Sequence, residues 1–301
     1  MEENILITIL TPTYNRAHLL GKLYESLLNQ DNYNFEWLII DDGSSDNTKD
    51  VVETFKNEKF VVNYVFKENG GKHRALNMGI NRINTPLTFI VDSDDWLTND
   101  SVRTICNFYS QYKENNKICG FSFLRMYSDG EINVSTGRTE PFIDSYFNVR
   151  VKEKRVGDMA EVYYTEVLKS NLFPEIENEK FIGEDIVWLE ISKKYDLVFI
   201  EKAIYVSDYL QEGLTSNRRS LNIKNSKGCY YRSLKFLEFA NLPIRLIIKC
   251  ILQMTVYGMF SHLPIRSIFI KSNYKLLTII LLPFSLIIYW FYKIKWVKYE
   301  N

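Results

Sequence analysis

The sequence predicts an α/β fold with a mostly parallel sheet flanked by helices, followed by an apolar helical tail. In the first 112 residues, short apolar runs rich in β-branched residues alternate with segments in which apolar residues recur every three or four positions. Polar clusters containing Asp, Asn or Gly directly follow three of these runs. The last sixty residues are apolar and basic and lack the alternation. Together these observations predict βαβ units and a separate C-terminal helical region.

Four strands and four helices are predicted in order. Ile5–Thr11 is apolar at nearly every position, which is typical of a parallel strand buried on both faces. The later strands share this character and are Phe35–Ile40, Val61–Phe66 and Leu87–Val91. The helices follow from hydrophobic spacing and are Ala17–Gln30, a segment capped by Ser45 or Asp46 that ends near Asn57, His73–Ile83 and Ser101–Tyr112.

The middle of the chain is less regular. Gly120–Met126 predicts a further strand, and Asp158–Ser170 predicts a helix. Gly183-Glu184-Asp185 opens a helix that we expect to continue to Tyr195. Late strands are expected at Leu197–Ile200 and Ile204–Tyr209.

The charge distribution separates an acidic body from a basic tail. Lysine plus arginine and aspartate plus glutamate both number 37, but residues 221–301 hold twelve basic residues against Glu238 and Glu300. The first 220 residues therefore carry a net charge of −10. This layout does not favour a nucleic-acid partner. It predicts a catalytic domain over residues 1–220 and a helical, basic and apolar tail over residues 221–301.

The tail also predicts an association with membranes. Leu276–Tyr292 contains 17 residues without a charge, which is the short limit for a membrane span, and Pro283 lies in its middle. Lysine and tryptophan residues follow it, as is typical of a membrane interface. We expect residues 242–299 to bind a membrane surface. Whether residues 276–292 span the membrane, lie on it or pack a homo-oligomer stays open.

The cysteines favour a cytoplasmic protein. Cys106, Cys119, Cys229 and Cys250 form no C-x-x-C pair and no zinc-like spacing with histidine. Reduced thiols and an acidic rather than basic N-terminal stretch are typical of the cytoplasm. Combined with the tail, they predict peripheral association with the cytoplasmic face of the cell membrane.

Three polar clusters at predicted strand ends carry the chemistry. Asp92-Ser93-Asp94 follows the fourth strand, and on an extended chain its two carboxylates point the same way and can hold one hard divalent cation. A carboxylate of Asp41-Asp42 can hydrogen-bond a nucleobase or a ribose. Thr13–Arg16 follows the first strand. Each cluster alone is as typical of a turn. Because the carboxyl ends of parallel strands meet at one edge of a sheet, we expect the three clusters to converge on one crevice.

A fourth segment, Asn69-Gly70-Gly71-Lys72, lies between the third strand and the helix that follows it. The two glycines would let backbone N–H groups approach a phosphate, and Lys72 or Arg74 would neutralise it. On its own the glycine pair is also typical of a plain loop.

The ordered motifs resemble those of the family 2 glycosyltransferases, which have the GT-A (Rossmann-like) fold. They are P-T-Y-N-R, I-I-D-D-G-S-S-D, N-G-G-K-H-R-A-L-N-M-G, V-D-S-D-D and G-E-D, and the resemblance covers residues 4 to about 217. It implies a bacterial polysaccharide-type enzyme that inverts the anomeric carbon and uses Mn²⁺ or Mg²⁺. The implied donor is a nucleotide-diphospho-sugar, most often a UDP-sugar, and the implied acceptor is a glycan or a lipid-linked saccharide.

The resemblance also assigns roles to individual residues. Asp92 and Asp94 match the metal motif, with Asp94 the more direct ligand. Asp185 would be the general base that takes the proton of the acceptor hydroxyl, although an acidic residue at a helix N-terminus is favourable for structural reasons too. The residues implied around the nucleotide-sugar are Thr11, Pro12, Tyr14, Arg16, Asp42, Lys72, Asp92 and Ser93.

Two other functions stay open. A sugar-1-phosphate nucleotidyltransferase also uses an α/β domain, acidic residues and a metal, but the Gly-rich basic loop that it needs after the first strand is absent. A non-catalytic membrane partner of the same fold is disfavoured by the intact Asp42, Asp92, Asp94 and Asp185. The Q-x-x-R-W motif of processive members is absent too, and Gln211–Asn217 resembles the loop of enzymes that add a single sugar.

Overall fold

The computed structural model describes residues 5–155, 157–208 and 218–297, so that the loop at 211–217 lies outside the described residues. The chain forms two compact units. The first unit contains Met1–Phe173 and Glu190–Tyr209, and the second contains Pro174–Leu189 and Leu210–Asn301. The stretch Pro174–Leu189 is thus grouped with the tail, whereas the sequence places a single boundary at residue 220.

Among the described residues, the first unit contains a nine-stranded sheet. Its strands are β1 (Ile7–Thr13), β2 (Phe35–Asp41), β3 (Val62–Phe66), β4 (Leu87–Ile90), β5 (Trp96–Leu97), β6 (Ile118–Met126), β7 (Phe142–Asp144), β8 (Met159–Tyr164) and β9 (Asp196–Val206). The order is β3-β2-β1-β4-β8-β6-β9-β5, and β7 pairs with β9. The block β3-β2-β1-β4 is entirely parallel, and β6 and β9 are also parallel. Antiparallel β8 joins these parts. This mixed, mostly parallel sheet confirms the predicted fold class.

The described part of the first unit also contains the helices α1 (Ala17–Leu28), α2 (Thr48–Glu53), α3 (Lys72–Ile80), α4 (Ser101–Tyr112) and α5 (Thr165–Lys169). A π-helical segment, Phe147–Lys152, occupies part of the irregular middle. Helix α3 lies so close to the sheet that a Cβ atom added at Gly79 would be 2.3 Å from Leu10 Cδ1 on β1. This close packing fixes the loop before α3 at the carboxyl edge of the parallel strands.

The predicted helix over Asp158–Ser170 is wrong. Residues Met159–Tyr164 form β8, and only the short helix α5 follows it. The reason is tertiary: β4 and β6 each present a strand edge, and β8 fills both with antiparallel hydrogen bonds while burying Ala160 and Val162. The two predicted late strands are likewise one strand, β9, whose register with β6 shifts after Phe123.

The second unit is helical. Helix α6 (Asp185–Ile191) begins in the second unit and ends in the first. The helices that follow are α7 (Arg218–Lys224), α8 (Ser226–Leu237), α9 (Ile244–Phe260), α10 (Ile265–Lys271) and α11 (Lys275–Tyr292), with a short π-helical turn after α11. Helix α9 packs against α8, α10 and α11 and forms the centre of this unit. Helix α11 runs through Pro283 without a break.

Candidate active site

The loops after β1 and β2 are joined by side chains, as the sequence predicts for strands that end at one edge. Asn15 adopts a left-handed backbone (φ 52°), and its Oδ1 accepts a hydrogen bond from the Ser45 backbone N–H at 2.7 Å. Ser44 Oγ accepts from the Asn15 N–H at 2.8 Å. Asp46 accepts hydrogen bonds from the N–H groups of Ala17 and Thr48, one at the start of each following helix. The P-T-Y-N-R and D-D-G-S-S-D motifs are therefore connected to each other by hydrogen bonds.

Asp42 organises the glycine loop that precedes α3. Its two carboxylate oxygens accept hydrogen bonds from the backbone N–H groups of Gly70 (2.9 Å) and Gly71 (2.7 Å), and Lys67 forms an ion pair with the same carboxylate. Gly71 has φ +98°, so a side chain there would be strained. Asp42 and the glycine segment, which the sequence treats as separate signals, thus form a single site element. A nucleotide that reached Asp42 would also meet this loop.

Asp41 supports the end of β2. It is buried, and its carboxylate accepts hydrogen bonds from the Ser44 N–H (2.8 Å) and from the Tyr64 hydroxyl on β3 (2.6 Å). Burial and this bond to an acidic partner raise the pKa of Tyr64 well above its usual value. Asp41 therefore fixes the turn that presents Asp42.

Three carboxylates gather after β4. Asp92, Asp94 and Asp95 each offer an oxygen, and these oxygens all lie within 4.8 Å of one another. The expectation that an extended chain aligns the first two is wrong, because β4 ends at Ile90 and the segment turns, with the Asp95 N–H donating to the Asp92 carbonyl. The turn gathers the carboxylates and brings in a third that the D-x-D spacing alone does not include.

Two cationic side chains contact this cluster, one from the residue before α1 and one from the first residue of α3. Arg16 Nη1 lies 2.8 Å from Asp94 Oδ2, and Lys72 Nζ lies 2.6 Å from Asp92 Oδ1. Burial alone would raise the pKa of Asp92, but the charges of Lys72 and Arg125 outweigh it and hold the pKa below its ordinary value. The predicted residues Arg16, Lys72, Asp92 and Asp94 are therefore brought together at one place.

Asp95 contacts two side chains from the strands β6 and β9. The Tyr205 hydroxyl on β9 donates to Asp95 Oδ2 (2.7 Å) and accepts from the Asp92 N–H (3.0 Å). Arg125 on β6 stacks over the Tyr205 ring at 4.0 Å, and its Nη1 lies 3.7 Å from Asp95 Oδ2. Burial and the neighbouring Asp92 charge raise the pKa of Asp95 to about 7, against the opposing effect of Arg125. Tyr205 thus ties both ends of the acidic turn to the core.

The acidic turn fits a divalent cation. Carboxylate oxygens are the ligands that Mg²⁺ and Mn²⁺ prefer, and Asp92 and Asp94 are partly exposed while Asp95 is buried. The end of β1 offers a further polar group, because the Thr13 hydroxyl is buried and has no hydrogen-bond partner among the residues that the structure describes. Both features suit a bound metal and nucleotide.

The remaining predicted nucleotide-site residues differ in accessibility. Thr11 is fully buried, and its hydroxyl accepts a hydrogen bond from Trp37 Nε1 at 2.9 Å. Pro12 and Ser93 are also buried. Tyr14, by contrast, is 49% exposed, so a ligand can reach its ring. The roles of these four residues toward a nucleotide remain predictions.

Asp185, the predicted general base, lies in the second unit and forms an ion pair that the sequence does not reveal. Arg232 of α8 donates its Nε–H to both carboxylate oxygens, at 2.9 Å and 2.8 Å, and its Nη2 also contacts Oδ2. Burial alone would lower the pKa of Arg232, but the Asp185 charge outweighs it and raises the pKa. The candidate base is thus held by a helix that the sequence assigns to the tail.

Sequence reasoning misses four residues of these sites, namely Lys67, Arg125, Tyr205 and Arg232. Two of them leave a weak signal. Lys67 directly follows β3, where site residues of parallel sheets gather, and Arg125 is a charged residue inside an otherwise apolar strand. Tyr205 and Arg232 have no local signal, since one is a normal strand residue and the other is one of many basic residues of the tail.

Comparison with known proteins identifies the family of this chain. Residues 8–160 match the family described as "Glycosyl transferase family 2". The chain belongs to this family of nucleotide-sugar-dependent glycosyltransferases. The membership confirms the predicted family, and the similar solved structures confirm the GT-A-like fold.

Among curated proteins, the chain is 25% identical over 273 residues to an uncharacterized glycosyltransferase of Rickettsia felis, covering 89% of this chain but 44% of that protein. It is also 25% identical over 250 residues to the GalNAc(5)-diNAcBac-PP-undecaprenol beta-1,3-glucosyltransferase of Campylobacter jejuni, covering 78% of this chain and 73% of that protein. The chain therefore spans less than half the length of one relative and about three quarters of the other.

Solved structures share the fold. S. aureus TarS 1-349 in complex with UDP-GlcNAc superposes with a TM-score of 0.61 at 17% identity, covering 90% of this chain and 77% of that one. The mannosyltransferase PcManGT from Pyrobaculum calidifontis, in complex with GDP-Man and Mn²⁺, gives a TM-score of 0.57 at 17% identity over 84% of this chain and 73% of that one.

Proposed function

We propose that this chain is an inverting, metal-dependent glycosyltransferase that moves one sugar from a UDP-sugar to a lipid-linked saccharide. One observation carries the proposal: the carboxylates of Asp92 and Asp94 meet Arg16 and Lys72 at the edge of the sheet where Asp42 holds the glycine loop. A site for a nucleotide-diphospho-sugar requires carboxylates that bind a divalent cation, basic side chains that neutralise the diphosphate and a carboxylate that contacts the nucleobase. This arrangement offers all three kinds of group.

The first unit supplies the donor half of the reaction. Asp92 and Asp94 would hold Mn²⁺ or Mg²⁺, which when bound would neutralise charge on the diphosphate leaving group. Arg16 and Lys72 contact Asp94 and Asp92, respectively, and would neutralise the negative charge of a bound diphosphate. Asp42 and the exposed Tyr14 would contact the nucleoside.

The acceptor half rests on Asp185. An acceptor hydroxyl has a high pKa and must lose its proton as its oxygen attacks the anomeric carbon and the bond to the diphosphate breaks. Asp185 Oδ1 would take that proton. Its side chain is 24% exposed, so a hydroxyl can reach it.

The relatives support the choice of donor and acceptor. The Campylobacter jejuni relative bears a name that describes glucosyl transfer to an undecaprenol-diphosphate-linked glycan. Similar structures contain UDP-GlcNAc in one case and GDP-Man with Mn²⁺ in the other. The absence of the Q-x-x-R-W motif favours transfer of one sugar.

We also propose that helix α11 attaches the protein to the cytoplasmic face of a membrane. Lys275–Trp296, which includes α11, is long and apolar enough to cross a bilayer. Helix α11 has the opposite arrangement to a surface helix of a protein in water. Its polar residues Thr278 and Ser285 are buried, whereas its large apolar side chains face outward. The exposed residues are Leu276, Ile279, Ile280, Phe284, Ile287, Trp290 and Phe291. Such a helix face is stable where the outside is apolar.

The contacts of α11 favour a helix that lies in the interface. One side of α11 packs on α9, and α9 packs on α8, so that a spanning α11 would draw a packed helical unit into the bilayer. Lys275 begins α11, Lys271 ends the preceding helix α10, and Lys293 and Lys295 follow the end of α11, where they can meet anionic head groups. This placement would bring Asp185, which lies in the same unit as α11, to a lipid-linked acceptor.

A panel of nucleotide-sugars tests the reaction. The full chain would be incubated with Mn²⁺, a synthetic polyprenyl-diphosphate-linked saccharide, and UDP-Glc, UDP-GlcNAc, UDP-GalNAc or GDP-Man in turn. We expect release of UDP with β-linkage of the sugar from at least one α-linked UDP-sugar. Retention of the anomeric configuration would contradict inversion, and formation of a nucleotide-sugar from sugar-1-phosphate and UTP would establish the nucleotidyltransferase instead.

A further inference from the structure

Helix α8 forms the scaffold for the G-E-D motif. Upstream of the motif, Glu179 is buried and accepts hydrogen bonds from the backbone N–H groups of Lys227 (3.0 Å) and Gly228 (3.2 Å) in the first turn of α8. Asn225, which precedes that turn, accepts hydrogen bonds through its Oδ1 from the N–H groups of Lys180 (2.8 Å) and Phe181 (2.9 Å). The loop that leads to Asp185 is therefore attached to the N-terminus of α8.

The same helix then holds the carboxylate itself. The guanidinium of Arg232 contacts both oxygens of Asp185, which fixes the rotation of the carboxylate as well as its position. The ring of Phe236, one turn further along α8, lies 4.8 Å from the guanidinium. A lysine could supply the charge at this position but not the two-point contact.

One carboxylate oxygen remains able to accept another proton donor. Asp185 Oδ1 receives one contact from Arg232 Nε, whereas Oδ2 receives two, from Nε and Nη2. A carboxylate oxygen has two lone pairs, so Oδ1 can still accept a hydrogen bond from a hydroxyl. Space on that side depends on Gly183, because a Cβ atom added there would lie 2.9 Å from Asp185 Oδ1.

We propose that Arg232 is a positioning residue for catalysis, which orients Asp185 so that Oδ1 faces the acceptor hydroxyl. The proposal rests on the proposed function of Asp185 as general base. It assigns part of the catalytic machinery to a helix of the apparent tail, and it makes α8 necessary for transfer but not for donor binding.

The test measures transfer and donor binding separately in the full chain. In Arg232→Gln, we expect kcat for transfer to fall about 10- to 100-fold, because misplacing a reacting group by about 1 Å costs up to about 10²-fold. KM for the UDP-sugar and the affinity for UDP with Mn²⁺ should stay within about twofold. Arg232→Lys should recover only part of the rate, and millimolar guanidinium should raise the rate of Arg232→Ala.

Two matched controls separate positioning from general loss of structure. Lys235→Gln removes a cation three residues further along α8, where the lysine pairs with Glu238, and should leave kcat near that of the wild type. Gly183→Ala should reduce transfer by displacing the carboxylate, whereas Gly21→Ala in α1 adds a methyl group that meets no atom within 4 Å and should have no such effect.

The Asp185→Asn background distinguishes the possible failures. If Arg232 acts through Asp185, Arg232→Gln should lower the residual rate of Asp185→Asn by less than about twofold. An equal loss in both backgrounds, or a wild-type rate in Arg232→Gln, would overturn the positioning role. If Asp185→Asn itself transfers at the wild-type rate, the proposed base is wrong, whatever Arg232 does.

Discussion

The two acidic motifs of this protein meet their cations in different ways. At the D-S-D-D turn, three carboxylates lie within 4.8 Å of one another, and Arg16 and Lys72, from two other segments of the chain, contact Asp94 and Asp92. At the G-E-D motif, one carboxylate is held by the two-point contact of Arg232 from a helix. The first arrangement gathers carboxylates that could share one divalent cation, and the second fixes the orientation of a single carboxylate. We propose that the first serves donor binding and the second serves proton transfer.

The largest expected effect comes from a substitution in the D-S-D-D turn. Asp94→Ala removes a carboxylate that would hold the cation, and we expect transfer to fall by about 10⁴-fold or more, since Lewis-acid stabilisation is worth several kcal/mol. Excess chelator should abolish wild-type transfer, and added Mn²⁺ should restore it. Circular dichroism should show an intact fold. Full activity in excess chelator would contradict the metal assignment.

Removing the fixed carboxylate should have the next largest effect. Asp185→Asn keeps the size of the side chain but cannot take a proton, so we expect transfer to fall by about 10²–10⁴-fold. Binding of UDP with Mn²⁺, measured by calorimetry, should be unchanged. Near-normal turnover would move the role of base to another residue, and Glu184→Gln would be the first variant to compare.

A third prediction concerns the exposed apolar face of α11 in the second unit. Ile280→Ser, Phe284→Ser and Ile287→Ser together remove three exposed apolar side chains of α11. Each fully buried side chain of this kind contributes about 1.5–3 kcal/mol, so we expect binding to phosphatidylglycerol vesicles to weaken by at least about 100-fold. Transfer to a soluble acceptor mimic should be unaffected.

The control for this membrane prediction is Thr278→Ala, which alters the buried side of α11 and should still bind the vesicles. Light scattering of the wild type and the triple variant identifies the alternative. If the wild type ignores vesicles and the triple variant loses a dimer, the exposed face of α11 is an interface between copies of this chain.

The smallest effect concerns the support of the acidic turn. Tyr205→Phe removes the hydroxyl that donates to Asp95 and accepts from the Asp92 N–H. A buried hydrogen bond to a charged group contributes about 1.5–3 kcal/mol, so we expect Mn²⁺-dependent UDP binding to weaken by about tenfold. Tyr24→Phe is the matched control, because that hydroxyl bonds only an exposed backbone carbonyl in a different part of the first unit. Equal loss in both variants would contradict a specific role for Tyr205.

Local patterns are sufficient to predict the parallel half of the sheet and its polar strand ends. Asp42, Asp92 and Asp94 lie within three residues of the end of an apolar run, so their position in sequence already places them at the carboxyl edge. Arg16 and Lys72 are close to those motifs in the family pattern. For these residues, strand direction and loop length fix the geometry.

The rest of the sheet and of the candidate site depends on contacts between residues that are distant in sequence. Tyr205 reaches Asp95 across 110 positions and Arg232 reaches Asp185 across 47, and no periodicity encodes either contact. Strand β8 was predicted as a helix because its apolar residues suit both periods, and only the free edges of β4 and β6 decide for a strand. The segment Pro174–Leu189 belongs with the tail for a similar reason. Residues of this segment form hydrogen bonds with residues at the start of α8, which are distant in sequence.

The most direct test is calorimetric titration of UDP into the full chain with and without Mn²⁺, using the wild type, Asp94→Asn and Asp185→Asn. We expect the wild type and Asp185→Asn to bind UDP with similar affinity, and only when Mn²⁺ is present. Asp94→Asn should lose most of this metal-dependent affinity. Binding of UDP that is equally strong in all three proteins and indifferent to Mn²⁺ would contradict the metal-dependent donor site at the end of β4.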